Sequence, residues 1–150
     1  QSSQAEAEDF VHLQAMTQVR NLFIDNRLGF LDEALAVANN PDGGVYPVGT
    51  IIQLIPQEAM VKRGTGFSPF GDWEFFELDV SPEGTTIVNR GGAEIVNRFG
   101  LASCADCHGM ALPQFDFVCE KTNGCEPLPI ADEVFLALQA TDPRPRAGGD

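Results

Sequence analysis

Positive charge is scarce in this chain. Nine Lys and Arg stand against 22 Asp and Glu in 150 residues, a formal net charge of -13, and the only lysines are Lys62 and Lys121. So acidic a surface repels phosphate and has few cations to displace counterions, which excludes nucleic acid and anionic membranes as partners and favours a basic protein. Long apolar runs are missing too. Stretches such as Thr50–Pro56 fall far short of the roughly 18 residues that a membrane-spanning helix needs, so no membrane span is expected. Methionine occurs three times and histidine twice, which leaves few ligands for a metal. What the chain has in plenty is core material: 43% of residues are hydrophobic and eleven are Phe. That is enough to offset the ordering entropy of one domain over 1–150, with 1–8 and 141–150 expected as flexible tails.

The spacing of Phe10, Leu13, Met16, Val19 and Phe23 predicts an amphipathic helix from Asp9 to about Ile24. Leu31 to Ala38 predicts a second, with Asp32 and Glu33 in its first turn and Asn39 to Gly44 ending it. The period then changes. Thr50–Ile55, Ala59–Arg63, Trp73–Val80 and Thr85–Asn89 are short β-branched or aromatic runs, and Ser81-Pro82-Glu83-Gly84 forms a hairpin turn between the last two. Trp73 to Val80 carries aromatics at both alternation positions, which predicts a strand covered on both faces. Helices are expected at Ala93–Phe99 and Ser103–Met110, an extended stretch at Phe115–Cys119, and a last helix from an Asp132 N-cap to about Ala140. An α+β fold follows, mostly antiparallel sheet with flanking helices.

The cysteines carry the chemistry. Cys104-Ala105-Asp106-Cys107-His108 is a c-type haem attachment string, in which two thiols one helical turn apart bind the porphyrin and the next imidazole reaches the iron. A thioredoxin-like motif would need a βαβ setting that is absent here. A zinc site from Cys104, Cys107, Cys119 and Cys125 has too wide a spacing between its last two thiols. Cys119 and Cys125 flank a Gly-bearing turn and are read as a disulfide, the alternative being that one of them ligates iron. Covalent haem and a disulfide both belong to an oxidising compartment. The N-terminus has neither the charged nor the apolar region of a signal peptide. The expectation is therefore an exported, periplasmic protein whose signal has been removed.

The sixth iron position decides function. Met110 is too close to His108 to reach the opposite haem face. Met16 reads as core, Met60 in a strand as core or ligand, and His12 as a solvated histidine. Arg63, Arg90 and Arg98 are candidates for haem propionates or plain surface charges. Glu74, Glu77 and Asp79 read as a solvated strand face rather than acid/base groups. Trp73, Phe75 and Phe76 are core, or the apolar bed that a haem requires.

Tyr46-Pro47-Val48-Gly49-Thr50, Met60-Val61-Lys62, Gly71-Asp72-Trp73-Glu74-Phe75, and Cys104 to His108 followed by Asp116-Phe117-Val118 together resemble the cytochrome P-460 and cytochrome c′-beta family of periplasmic monohaem proteins. The resemblance spans about Tyr46 to Val118. It implies an antiparallel sheet bearing one covalently bound haem c, with five-coordinate iron and an open distal site. Members that oxidise hydroxylamine carry a lysine cross-linked to haem on the strand after the Y-P-x-G-T turn, and an acidic distal residue. Here that strand reads Ile51-Ile52-Gln53-Leu54-Ile55. Lys62 on the next strand is the sole cross-link candidate, its alternative being a strand-edge charge. Phe99 aligns with the distal residue and Glu94 lies a turn back. An aromatic there excludes water and favours small diatomic ligands.

Three readings follow. The first is a haem protein that binds nitric oxide or carbon monoxide. The second is an electron-transfer cytochrome with a protein sixth ligand and a basic redox partner, and the third is a hydroxylamine-oxidising enzyme with a Lys62 cross-link. Exposed aromatics are compatible with a homodimer, though no pattern marks its interface.

Overall fold

The computed structural model describes residues 4–91, 108–119 and 132–145. Its centre is a six-stranded antiparallel sheet in which each strand pairs with the next: β1 (Thr17–Val19), β2 (Leu22–Asn26), β3 (Thr50–Gln53), β4 (Glu58–Lys62), β5 (Trp73–Ser81) and β6 (Gly84–Gly91). Two nine-residue helices accompany it, α1 (Leu31–Asn39) and α2 (Asp132–Ala140). The α+β class expected from the change of period is therefore adopted.

Strands β3 to β6 fall where β-branched and aromatic runs predict them. The β5–β6 hairpin closes on the Ser81↔Gly84 pair, and Gly84 has φ +124°, a backbone angle that suits glycine at the end of a two-residue loop. Successive side chains of β5 point to opposite faces, and both faces are covered. Trp73 and Phe75 join Leu22, Ile24, Ile52, Met60, Tyr46 and Val118 in one core, over which α1 lays Ala34 and Ala38. Phe76 and Leu78 join Ile51, Ala59 and Val61 in the other, covered by Ala5 and Phe10 of the N-terminal segment.

The predicted helix over 9–24 does not form. Instead two single 3₁₀ turns, Ala7–Asp9 and Leu13–Ala15, lead into the β1–β2 hairpin. Phe10 and Leu13 are buried and Met16 packs on the second core, so the helical spacing is met by short turns that place the same side chains inward. Beyond them Leu22, Phe23 and Ile24 are consecutive and all buried, a pattern that a strand between two covered faces satisfies and a one-sided helix does not. Arg20 turns the hairpin at φ +55°.

Residues 141–145, the described part of the expected C-terminal tail, are docked. Asp142 and Arg144 are buried and form an ion pair at 2.7 Å. The Arg144 guanidinium also donates to the Phe10 carbonyl at 3.1 Å, to Gln53 Oε1 at 3.3 Å and to Thr85 Oγ1 at 3.2 Å. His12 belongs to the same network and is not solvated. Its Nδ1 accepts from the Gln14 amide at 2.9 Å, and its Nε2 donates to the Asp142 carbonyl at 3.1 Å. In the described part of the expected N-terminal tail, Ala5 is fully buried. Composition suggested tails because polar, Pro-rich residues usually remain solvated; here a buried guanidinium with five acceptors holds the strap in place.

Candidate functional site

The last register pair of β4 and β5 sets Lys62 beside Trp73, on the face that α1 covers. Lys62 is buried on an inner strand, so it is not an edge charge. Its Nζ donates to both carboxylate oxygens of Asp116, at 2.9 and 2.7 Å, and lies 5.1 Å from the centre of the Trp73 ring. Asp116 Oδ2 also accepts from the Tyr46 amide at 3.0 Å, and the Asp116 carbonyl accepts from Trp73 Nε1 at 2.7 Å. Burial pushes the Asp116 carboxyl pKa above its ordinary value, although Lys62 and the Tyr46 amide pull the other way.

Phe115–Cys119 is not extended. A 3₁₀ turn, Pro113–Phe115, is followed by two left-handed residues, Asp116 at φ +52° and Phe117 at φ +65°. Each costs about 1 kcal/mol or more for an L side chain, and four hydrogen bonds to Asp116 hold the turn against that cost. Gly71 makes room for it: with φ +67°, a Cβ there would sit 2.7 Å from Phe117 Cδ1 and 2.9 Å from Asp116 Oδ1.

The turn aims the Phe117 carbonyl at His108. His108 Nδ1 donates to that oxygen at 2.6 Å, and the imidazole packs 5.1 Å from the Phe75 ring with 38° between planes. Burial lowers the His108 pKa, and the Phe117 carbonyl only partly offsets it, so the neutral ring prevails at pH 7. With the Nδ1 proton committed, the lone pair lies on Nε2, and among the described residues nothing bonds that atom. A carbonyl-anchored neutral imidazole is how proteins present histidine to a metal. Phe75, against which the imidazole packs, and Trp73, which holds the Asp116 carbonyl, belong to the apolar core of that face.

Of the residues singled out from sequence, His108, Phe75, Trp73 and Lys62 are brought together. Cys104, Cys107, Phe99, Cys125, Arg98 and Glu94 lie outside the described residues, as does the expected helix at 93–99. Cys119 is disulfide-bonded, which removes it as a thiolate ligand for zinc or iron. Arg63 does not join the site: its Nη1 bonds Glu74 at 2.7 Å, and Glu74, between Trp73 and Phe75 in β5, points to the opposite face. Arg90 clasps the same carboxylate at 2.8 and 3.1 Å. Glu74 is thus buried between two guanidinium groups, not solvated, because the inner strand leaves it no route to water. Met60 is buried in the core next to Phe75.

Asp116 entered the sequence reading only as part of the Asp116-Phe117-Val118 string, with no role assigned to it. One signal was present: Lys62 ends an otherwise apolar run, Ala59-Met60-Val61, on an inner strand, and a lysine so placed requires a buried carboxylate. A scan against models of known protein families and searches of curated proteins and of solved structures returned no match for this chain.

Proposed function

We propose that this chain is an exported monohaem c-type cytochrome whose iron is ligated by His108 and stays open on its other side to a small ligand such as nitric oxide or carbon monoxide. The observation that carries the reading is the 2.6 Å bond from His108 Nδ1 to the Phe117 carbonyl, which sets the tautomer and ring plane of the histidine that closes the C-x-x-C-H string. Bound haem would supply an iron that coordinates diatomic gases and exchanges an electron. The chain's own residues do the rest. Cys104 and Cys107 would anchor the group, the apolar core around Phe75 and Trp73 would back it, Phe99 would exclude water from the distal side, and a Cys119–Cys125 disulfide would staple the loop that follows. The hydroxylamine-oxidising alternative finds no support at Lys62, whose amine is engaged by both Asp116 oxygens.

Absorption spectra of the purified protein, oxidised and dithionite-reduced, with and without carbon monoxide, test this. A high-spin ferrous form that shifts with gas is expected, and His108→Ala should abolish it. Low-spin bands indifferent to gas would make the protein an electron carrier, with Met60 the first residue to replace. An unchanged spectrum in His108→Ala would overturn the ligand assignment.

A further inference from the structure

Asp116 and Phe117 hold an αL–αL pair that L side chains rarely adopt, with φ of +52° and +65°. Consecutive carbonyls of this turn take consecutive jobs. The Asp116 carbonyl is pinned to β5 by Trp73 Nε1 at 2.7 Å, and the next, that of Phe117, receives the His108 Nδ1 proton at 2.6 Å. The Asp116 side chain is fixed from two directions, by Lys62 Nζ at 2.7 Å and by the Tyr46 amide at 3.0 Å. Both members of the ion pair are only 7% exposed. A pair buried this deeply adds little to stability compared with apolar residues of the same shape, because desolvation offsets the attraction. What it supplies is direction, since ammonium and carboxylate must meet in one geometry. Strain, burial and position converge on a single acceptor atom, the Phe117 oxygen.

We infer that Lys62 and Asp116 are positioning residues for His108: their ion pair locks the left-handed turn that presents the Phe117 carbonyl to Nδ1, and thereby sets the tautomer and ring plane of the imidazole. The role is that of an outer partner to a metal ligand. It rests on the reading of His108 as an iron ligand, and it assigns a function to the lysine other than covalent attachment.

The test compares three holoproteins. Lys62→Met/Asp116→Asn removes both charges together while leaving an acceptor for the Tyr46 amide. Lys62→Arg keeps the cation. Glu74→Gln disrupts a buried ion-pair cluster on the other face and serves as the stability control. Resonance Raman of the ferrous protein reads the iron–histidine stretch, and ¹⁵N spectra of the diamagnetic carbon monoxide form read the His108 ring nitrogens. The double variant should shift the stretch, alter the Nδ1 signal and change carbon monoxide affinity by about tenfold or more. Lys62→Arg should restore most of each signal, and Glu74→Gln should lower Tm while moving none of them. If the double variant does not fold, Lys62→Gln, which removes the cation while leaving a donor for the Asp116 carboxylate, should produce the same shifts in smaller measure. Unchanged stretch and ring signals in a variant with lowered Tm would show the pair to be structural only and overturn the inference while leaving the haem reading intact. A wild-type protein with no His108-ligated haem would overturn both.

Discussion

At the scale of single residues, four cations among the described residues are set against buried carboxylates. Lys62 meets Asp116, Arg63 and Arg90 share Glu74, and Arg144 meets Asp142. Burial alone would raise the Asp142 carboxyl, but the Arg144 guanidinium and the Leu13 amide outweigh it and hold its pKa below the ordinary value. A carboxyl depressed on folding adds stability above its unfolded pKa, near 4, and loses it as pH falls below that value toward the folded one. Asp142→Asn should therefore cost about 3 kcal/mol at pH 7, because Arg144 is left buried and unpaired. Urea midpoints at pH 7, 5, 4 and 3 should show the gap from wild type holding to about pH 4 and narrowing below it. A constant gap down to pH 3 would contradict the pairing. Gly71→Ala adds a methyl where φ is +67° and Phe117 Cδ1 is 2.7 Å away. A loss of about 2 kcal/mol in urea unfolding is expected.

At the scale of elements, the sheet and α1 show why some segments are legible in sequence and others are not. Strands β3 to β6 and α1 each carry a local pattern and a clear terminator, so their positions follow from neighbours in the chain. The stretch 9–24 satisfies a helical spacing and folds as turns and a hairpin because β2 pairs with β3 through four registered positions, Phe23 to Asn26, a partner that no local window contains. Helix α1 meets the sheet through small residues. Ala34 is fully buried, so Ala34→Leu should overpack the contact and cost about 1–3 kcal/mol. Chemical denaturation should show a lower midpoint with an unchanged slope.

At the scale of the whole molecule, both ends of the described chain close over the face of the sheet opposite His108. Phe10, Gln53 and Thr85 are gathered by one side chain, Arg144. Truncation before Asp142 removes that clasp and leaves the Leu13 amide and Gln53 Oε1 without their partners. A loss of about 3 kcal/mol is expected in thermal or urea unfolding. A truncated protein as stable as the full chain would show that the strap contributes no cohesion. The net charge of -13 acts at this scale too. It favours solubility and steers basic partners at low salt, but it does not select the fold.

Local order alone determined the α+β class, α1, four strands of the sheet, and the suspicion that His108 is the chemically important histidine, because each rests on residues close in the chain. Three-dimensional packing decided where the charges go. Lys62 and Asp116 are 54 positions apart, and Arg144 and Phe10 are 134 apart. The partner of a buried charge is set by which strands and turns converge, so the same lysine reads as an edge charge in sequence and as the anchor of the His108 turn in the fold. Arg63 shows the converse. Its neighbour Lys62, the last residue of β4, faces Asp116, and the alternation of a strand sends the next side chain to the other side of the sheet, where Glu74 holds it.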